Sequence, residues 1–199
     1  MKKYVKFNFA LVVIILLTFS LSAQDVKSWK IDKAHSSVNF SVNHFFSAVT
    51  GKFREFSGEI HFDPANLKSS KATFNIKVSS IDTDDEKRDK HLQSEDFFDA
   101  ANYPEIKFVS TRIEKINDKL FNVYGKLSMR KTTKDVVLPL RITGLMDNPW
   151  KEGSVIMGIA ISTKIDRTDY GIGTGSWAAT AVVGDEVRIE INMELDGAK

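Results

Sequence analysis

The sequence predicts an all-β chain built as a closed antiparallel sheet of eight strands. Apolar and polar residues alternate with period two in eight separate runs, and turn-forming clusters divide the runs. The chain has no cysteine, so neither a disulfide framework nor a thiolate metal site is available and the hydrophobic core alone must hold the fold. Many evenly spaced strands with wet outer faces point to closure, because an open edge leaves backbone N–H and C=O groups unpaired. A β-sandwich produces the same alternation, so the pattern by itself leaves barrel and sandwich both open.

The chain begins with Lys2, Lys3 and Lys6 ahead of an apolar run from Phe7 to Leu21 that ends in Ser22-Ala23-Gln24. That order is a secretory signal peptide, with cleavage expected after Ala23 and one domain over residues 24–199. The apolar run is shorter than the roughly 20 residues that span a bilayer, so no integral span is expected after cleavage. No cysteine follows it to take a lipid anchor. Export places the mature chain in the periplasm or outside the cell. Without residues 1–23 the chain carries 25 basic and 26 acidic residues, a balance that offers nothing to nucleic acid.

The first strand runs from Ser36 to His44, with Val38, Phe40, Val42 and His44 on one face and Ser37, Asn39, Ser41 and Asn43 on the other. The same alternation marks Phe56–Phe62 and Ala72–Val78. It continues through Ile106–Ile113, Phe121–Met129, Val136–Ile142 and Val155–Ile165. It is cleanest in Val187–Leu195, where Val187, Ile189, Ile191, Met193 and Leu195 oppose Glu186, Arg188, Glu190, Asn192 and Glu194. Asp63-Pro64, Asn117-Asp118, Asp147-Asn148-Pro149 and Gly184-Asp185 supply turns. Between Asp84 and Tyr103 the pattern breaks into a charged stretch with Leu92, Phe97 and Phe98 at spacings of short helices. Ser94 is the expected N-cap of the second piece.

An eight-stranded barrel is just wide enough to be filled by side chains or to hold one small ligand. Phe40, Phe56, Phe62, Phe74 and Phe121 fall on apolar faces, which suits an ordinary aromatic core as well as a ligand wall. Gly58, Gly125 and Gly158 lie within strands, where they weaken the sheet unless they admit a bend or a close approach, and so favour a hollow interior. Strands of about 10 residues tilted near 40° give a barrel roughly 25 Å tall, the length of an extended chain of about 20 carbons.

Catalytic motifs are scarce: there is no Gly-x-Ser-x-Gly, no His-Glu-x-x-His and no Walker loop. His61 has outward parity, His91 sits in a charged helical stretch and His35 precedes the first strand. His44 alone shares inward parity with Phe40 and Val42. No spacing supports a metal site. Arg88, Asp89 and His91 beside Phe97-Phe98 read either as a solvated helix face or as a polar gate at an oily mouth. Gly171, Gly173 and Gly175 have no following helix to hold an anion and read as a loop.

Several ordered motifs resemble the YceI-like family, the polyisoprenoid-binding proteins of bacterial periplasms. They are Trp29-Lys30-Ile31-Asp32 with His35-Ser36, Gly51-Lys52-Phe53, Phe56-Ser57-Gly58 and Phe62-Asp63-Pro64. Arg88-Asp89-Lys90-His91-Leu92 with Phe97-Phe98-Asp99 is the most distinctive. Tyr103-Pro104, Phe108, Ser110-Thr111 and Gly125-Lys126-Leu127 follow, then Asp166-Arg167-Thr168-Asp169-Tyr170-Gly171 and Val183-Gly184-Asp185-Glu186-Val187. Where the family often has a glycine after arginine, this chain has Lys131 in Met129-Arg130-Lys131-Thr132-Thr133.

The resemblance implies a lipocalin-like eight-stranded barrel whose pocket takes an isoprenoid or other amphiphilic chain, quinone-like molecules and fatty amides included. It implies no cofactor and no chemical step. On that reading Val38, Phe40, Val42, Phe53, Phe56, Phe74, Ile76, Phe98, Phe108 and Phe121 line the ligand, while His44, Arg88 and Arg167 face its head group. A lipid-modifying enzyme using His44 as base and a filled barrel serving as a secreted protein-binding module are the competing readings. A monomer and a homodimer are both compatible with the sequence.

Overall fold

The computed structural model describes residues 26–199, so the expected signal peptide, residues 1–23, lies outside the described residues. The strands are β1 (Ser28–His44), β2 (Ser47–Phe53), β3 (Phe56–His61), β4 (Lys71–Lys77) and β5 (Ile81–Asp82). After the helix α1 (Glu86–Gln93) come β6 (Glu105–Lys115), β7 (Leu120–Met129), β8 (Thr132–Asp147), β9 (Ser154–Asp166) and β10 (Val183–Ala198). All pairings are antiparallel, and β10 pairs with both β9 and β1. That second pairing closes a ring of eight through β1, β3, β4, β6, β7, β8, β9 and β10, which settles the barrel over the sandwich. β2 leads into β3, and β5 prolongs β4, so both extend the wall beside the upper half of β1.

The two ends differ in what fills them. At the lower end Phe121 and Leu195 are completely buried and Met157 nearly so. The Phe62 ring meets Phe121 edge-on at 5.3 Å, and the Trp29 indole N–H donates to the Phe62 carbonyl oxygen at 2.8 Å. Trp29 lies flat over its cross-strand partner Gly197, where a Cβ would stand 2.9 Å from the indole ring. The upper end carries the turn at 45–46, the turn at 130–131, α1 and the long connection between β9 and β10.

Local sequence explains several details. In β1 the register with β10 jumps from Asp32↔Glu194 to Ser37↔Asn192, so residues 33–36 bulge outward. Asp32 clasps that bulge, its Oδ1 accepting from the Ala34 N–H at 2.8 Å and its Oδ2 contacting His35 Nδ1 at 2.9 Å. His35 therefore lies within β1 rather than before it. In the β7–β8 turn the left-handed residue is Arg130, at φ 49°, and Lys131 is not left-handed, so no glycine is needed at 131.

The expectation for Ser94 is corrected. Asp85 caps α1 by accepting from the Arg88 N–H at 2.9 Å, and Ser94 closes the same helix, its hydroxyl donating back to the His91 carbonyl at 2.7 Å. Its own carbonyl then takes the amides of Phe97 and Asp99, which folds residues 95–99 into turns instead of a second helix. Thr83 ties α1 to β5: Arg88 Nε donates to its hydroxyl at 2.8 Å, Arg88 Nη2 to its carbonyl at 2.6 Å, and its N–H goes to Asp89 Oδ1 at 2.9 Å.

Candidate functional site

Above the plug the inward faces of the strands enclose a cavity of about 220 Å³. Phe40, Val42, Phe74, Leu138, Ile165 and Ile189 are half-buried because they face this space rather than another side chain. What keeps it open is a repeated pairing of phenylalanine with glycine. Phe40 stands directly opposite Gly51, and Phe74 opposite Gly58. A Cβ on Gly51 would lie 2.4 Å from the Phe40 ring, one on Gly58 2.9 Å from the Phe74 ring, and one on Gly125 2.4 Å from the Phe108 ring. Each ring thus leans along the wall over a bare backbone and leaves the lumen free. Gly158 serves differently, admitting the Thr143 hydroxyl beside the β8 bulge.

Nine of the thirteen residues named from the sequence lie on the cavity wall: Val38, Phe40, Val42, Phe53, Phe74, Ile76, Phe98, Phe108 and Arg167. Phe53 links two of them, its ring 5.6 Å from Phe40 and edge-on to Phe98 at 6.0 Å. The other four stand elsewhere. Phe121 is in the lower plug, and Phe56 is buried against Phe74 with ring centroids 5.8 Å apart. His44 is exposed at the tip of β1, packed edge-on against Phe45 at 4.7 Å. Its inward parity carries it beyond the cavity wall to the rim, where it does not line the cavity. Arg88 donates from Nε and Nη2 to Thr83 and so anchors α1. With Asp89 accepting from the Thr83 N–H, the pair staples the helix to β5.

Arg167 reaches the wall with nothing left to donate. It is 3% exposed, and its five N–H groups are matched by five backbone carbonyls. Nε donates to Gly184 at 2.9 Å, Nη1 to Ile172 at 2.7 Å and to Gly173, and Nη2 to Val183 at 2.8 Å and Trp177 at 3.0 Å. Burial pulls the guanidinium below its ordinary pKa, and Asp166 and Asp185 oppose that pull only in part. Its charge holds the β9–β10 connection, and Arg130 assists by donating to the Gly171 carbonyl. Arg167 thus has no free N–H to offer the head group it was expected to face.

His91 is not loose on a helix face. Its ring is wedged edge-on against Phe97 at 5.0 Å and Trp177 at 4.8 Å, and Nε2 lies 3.2 Å from Asp96 Oδ2. This cluster packs between α1 and the β9–β10 connection at the upper end. The cavity wall also includes Ile161, Ile165, Val187, Ile189 and Ile191 of β9 and β10, absent from the expected set although their alternation is as clear as that of β1.

Among the described residues Asp32, His35 and Glu194 bring ligand-type atoms within 4.8 Å of one another. Their contacts are those of the bulge clasp, in which both Asp32 oxygens already have partners. Lys71 and Arg167 are the titratable side chains on the cavity wall among the described residues.

Residues 29–195 match the family model described as the YceI-like domain. A UPF0312 protein of Vibrio cholerae is 34% identical over 192 residues, covering 95% of each chain. The crystal structure of Burkholderia cenocepacia BcnA superposes with a TM-score of 0.72 at 28% identity, covering 82% of this chain and 98% of that one. A polyisoprenoid binding domain from Saccharophagus degradans shares the fold with a TM-score of 0.65 at 16% identity, over 86% of this chain and 98% of that one.

Proposed function

The chain belongs to the YceI-like family, and from that premise and its cavity we propose an exported lipid carrier that encloses the apolar chain of an amphiphilic lipid, with no chemical step. The single observation that carries the reading is the cavity itself, walled by aromatic and aliphatic side chains and held open by the glycine–phenylalanine pairs. The ligand classes it suits are isoprenoids, quinone-like molecules and fatty amides. The polyisoprenoid binding of the Saccharophagus degradans domain agrees with that choice.

The size of the cavity bears on chain length. At about 220 Å³ it falls below the roughly 300–1,000 Å³ of pockets that enclose a drug-sized ligand. A chain of about 20 carbons would therefore protrude from the mouth or push the Phe40, Phe53 and Phe98 rings aside. Burial contributes about 0.8 kcal/mol per methylene, so ten carbons contribute about 8 kcal/mol against an association cost of roughly 4–15 kcal/mol. Carbons left outside the cavity contribute nothing, so affinity rises with chain length only as far as the Phe40, Phe53 and Phe98 rings give way.

Non-enzymatic binding is favoured by the wall chemistry, since among the described residues the wall carries no histidine or carboxylate to act as a base and every Arg167 donor is engaged. Among the described residues no helix is long and apolar enough to cross a membrane. The test is native mass spectrometry of the protein exported from its own cell, followed by organic extraction. A stoichiometric lipid adduct supports the carrier; a clean apo mass that no isoprenoid, quinone or fatty amide shifts overturns it.

A further inference from the structure

The upper rim carries an apolar lip that neither the fold nor the cavity uses. Phe45 and Phe46 form the two-residue turn between β1 and β2, and Phe46 is fully exposed while Phe45 is half exposed. Such turns ordinarily use Asn, Asp or Gly, because one or both residues are left-handed. Phe45 holds φ 49°, a conformation disfavoured for an aromatic side chain, and the ring packing it gains is the His44 edge. Two exposed aromatic rings in a strained turn weaken the free protein and call for a partner.

The surroundings indicate which partner. The Phe45 N–H donates to the Val182 carbonyl at 2.9 Å, which joins this turn to the β9–β10 connection, where Ala178, Ala179, Thr180 and Ala181 are exposed. No Asp, Glu, Lys or Arg occurs from Ser36 to Gly51 or from Gly171 to Gly184, in a chain that is 27% charged. Two such runs side by side form a charge-free sector of the rim, while α1 and the Arg130-Lys131 turn carry the charge of the rest. The rim adjoins the cavity, whose wall reaches Val42 and Val183 within three residues of Phe45 in the chain or across the strand pairing. The lower end also exposes Leu145, Met146 and Trp150, but there Asp147, Lys151 and Glu152 interrupt them and the lumen is plugged.

We propose that this lip is a docking surface for a lipid bilayer, into which Phe46 and Phe45 insert so that the cavity mouth opens onto the membrane. A bilayer fits better than a protein because a two-residue turn flanked by uncharged runs presents apolar rings without ionic groups for a partner to read, and acyl chains need only apolar area. Attachment by insertion rather than by basic residues makes binding insensitive to salt. The inference extends the carrier reading and rests on it only for the direction of lipid transfer.

The experiment is cosedimentation of the mature full chain with vesicles of phosphatidylethanolamine and phosphatidylglycerol, at low and high salt. The variants are Phe45→Asn with Phe46→Ser, which suits the left-handed turn, and Trp150→Ser as the control at the far end. Wild type and Trp150→Ser should bind equally at both salts, and the double variant should lose about tenfold or more in partitioning while its thermal midpoint holds or rises. Equal binding by the double variant, or no binding by wild type, overturns the proposal. So does a wild-type dimer that the double variant dissolves, which would make the lip a contact between copies. Extracted cargo is measured in parallel: a double variant that carries cargo yet ignores vesicles separates docking from carriage. Vesicle binding that depends on Phe45 and Phe46 in a protein that never holds cargo leaves the lip standing and removes the carrier.

Discussion

Replacing Arg167 with methionine separates a structural arginine from one that meets a ligand. The change keeps an unbranched side chain but removes five donors from the carbonyls of Ile172, Gly173, Trp177, Val183 and Gly184. Hydrogen bonds to a charged group contribute about 1.5–3 kcal/mol each. The five do not simply add, because the freed carbonyls of a surface connection can turn to water and the desolvation of a buried guanidinium is relieved. A net loss of about 3–5 kcal/mol is expected, which lowers the thermal midpoint by roughly 6–20 °C in a domain of this size. Lysine should rescue little, since an ammonium cannot span five carbonyls in a plane. The assays are calorimetry and limited proteolysis, with cleavage expected to quicken between residues 168 and 182. If Arg167→Met melts with the wild type and resists protease equally, but changes which lipids are bound, the residue reads the head group and the reasoning from its satisfied donors is wrong.

Other perturbations address the wall and the bulge. Gly125→Ala sets a methyl 2.4 Å from Phe108 and 2.5 Å from the Val109 carbonyl oxygen, and the backbone oxygen cannot yield. It should destabilise the fold by about 1–3 kcal/mol and drive the ring into the lumen, so denaturant melts should shift and extracted lipid per folded molecule should fall. Phe40→Asp places a carboxylate on the cavity wall and should leave a folded chain without cargo; a variant that copurifies with lipid at the wild-type ratio removes Phe40 from the wall. His35 should titrate above the ordinary value near 6.5 by NMR, because its hydrogen bond to Asp32 and the nearby Glu194 favour the imidazolium, and Asp32→Asn should bring it back down. With the folded value raised, the clasp strengthens the fold below the unfolded pKa and loses that contribution as pH rises through the folded one.

Alternation along the strands made the strands and their faces legible, while the choice of barrel over sandwich came from the family resemblance; the same alternation misplaced some of the site for a definite reason. Period two tells which face a side chain occupies, but not its height along the barrel axis, which depends on register with strands far away in sequence. Phe121 and Phe40 have the same inward parity; one is sealed in the lower plug and the other faces the cavity. His44 keeps that parity too, yet stands at the exposed tip of β1. β2 gives no alternation to find, since Ser47, Ala48, Thr50 and Gly51 are small or polar, and it is held mainly by its register on β1. Gly51 and Gly58 mark close approaches, but only the register shows that the groups approaching are Phe40 and Phe74. Arg167 shows a different limit. From the sequence it reads as a head-group contact, and the sequence does not show whether its donors are free. Here carbonyls of the β9–β10 connection and the start of β10 take all five, so one of the three expected head-group contacts is a residue that holds the rim together.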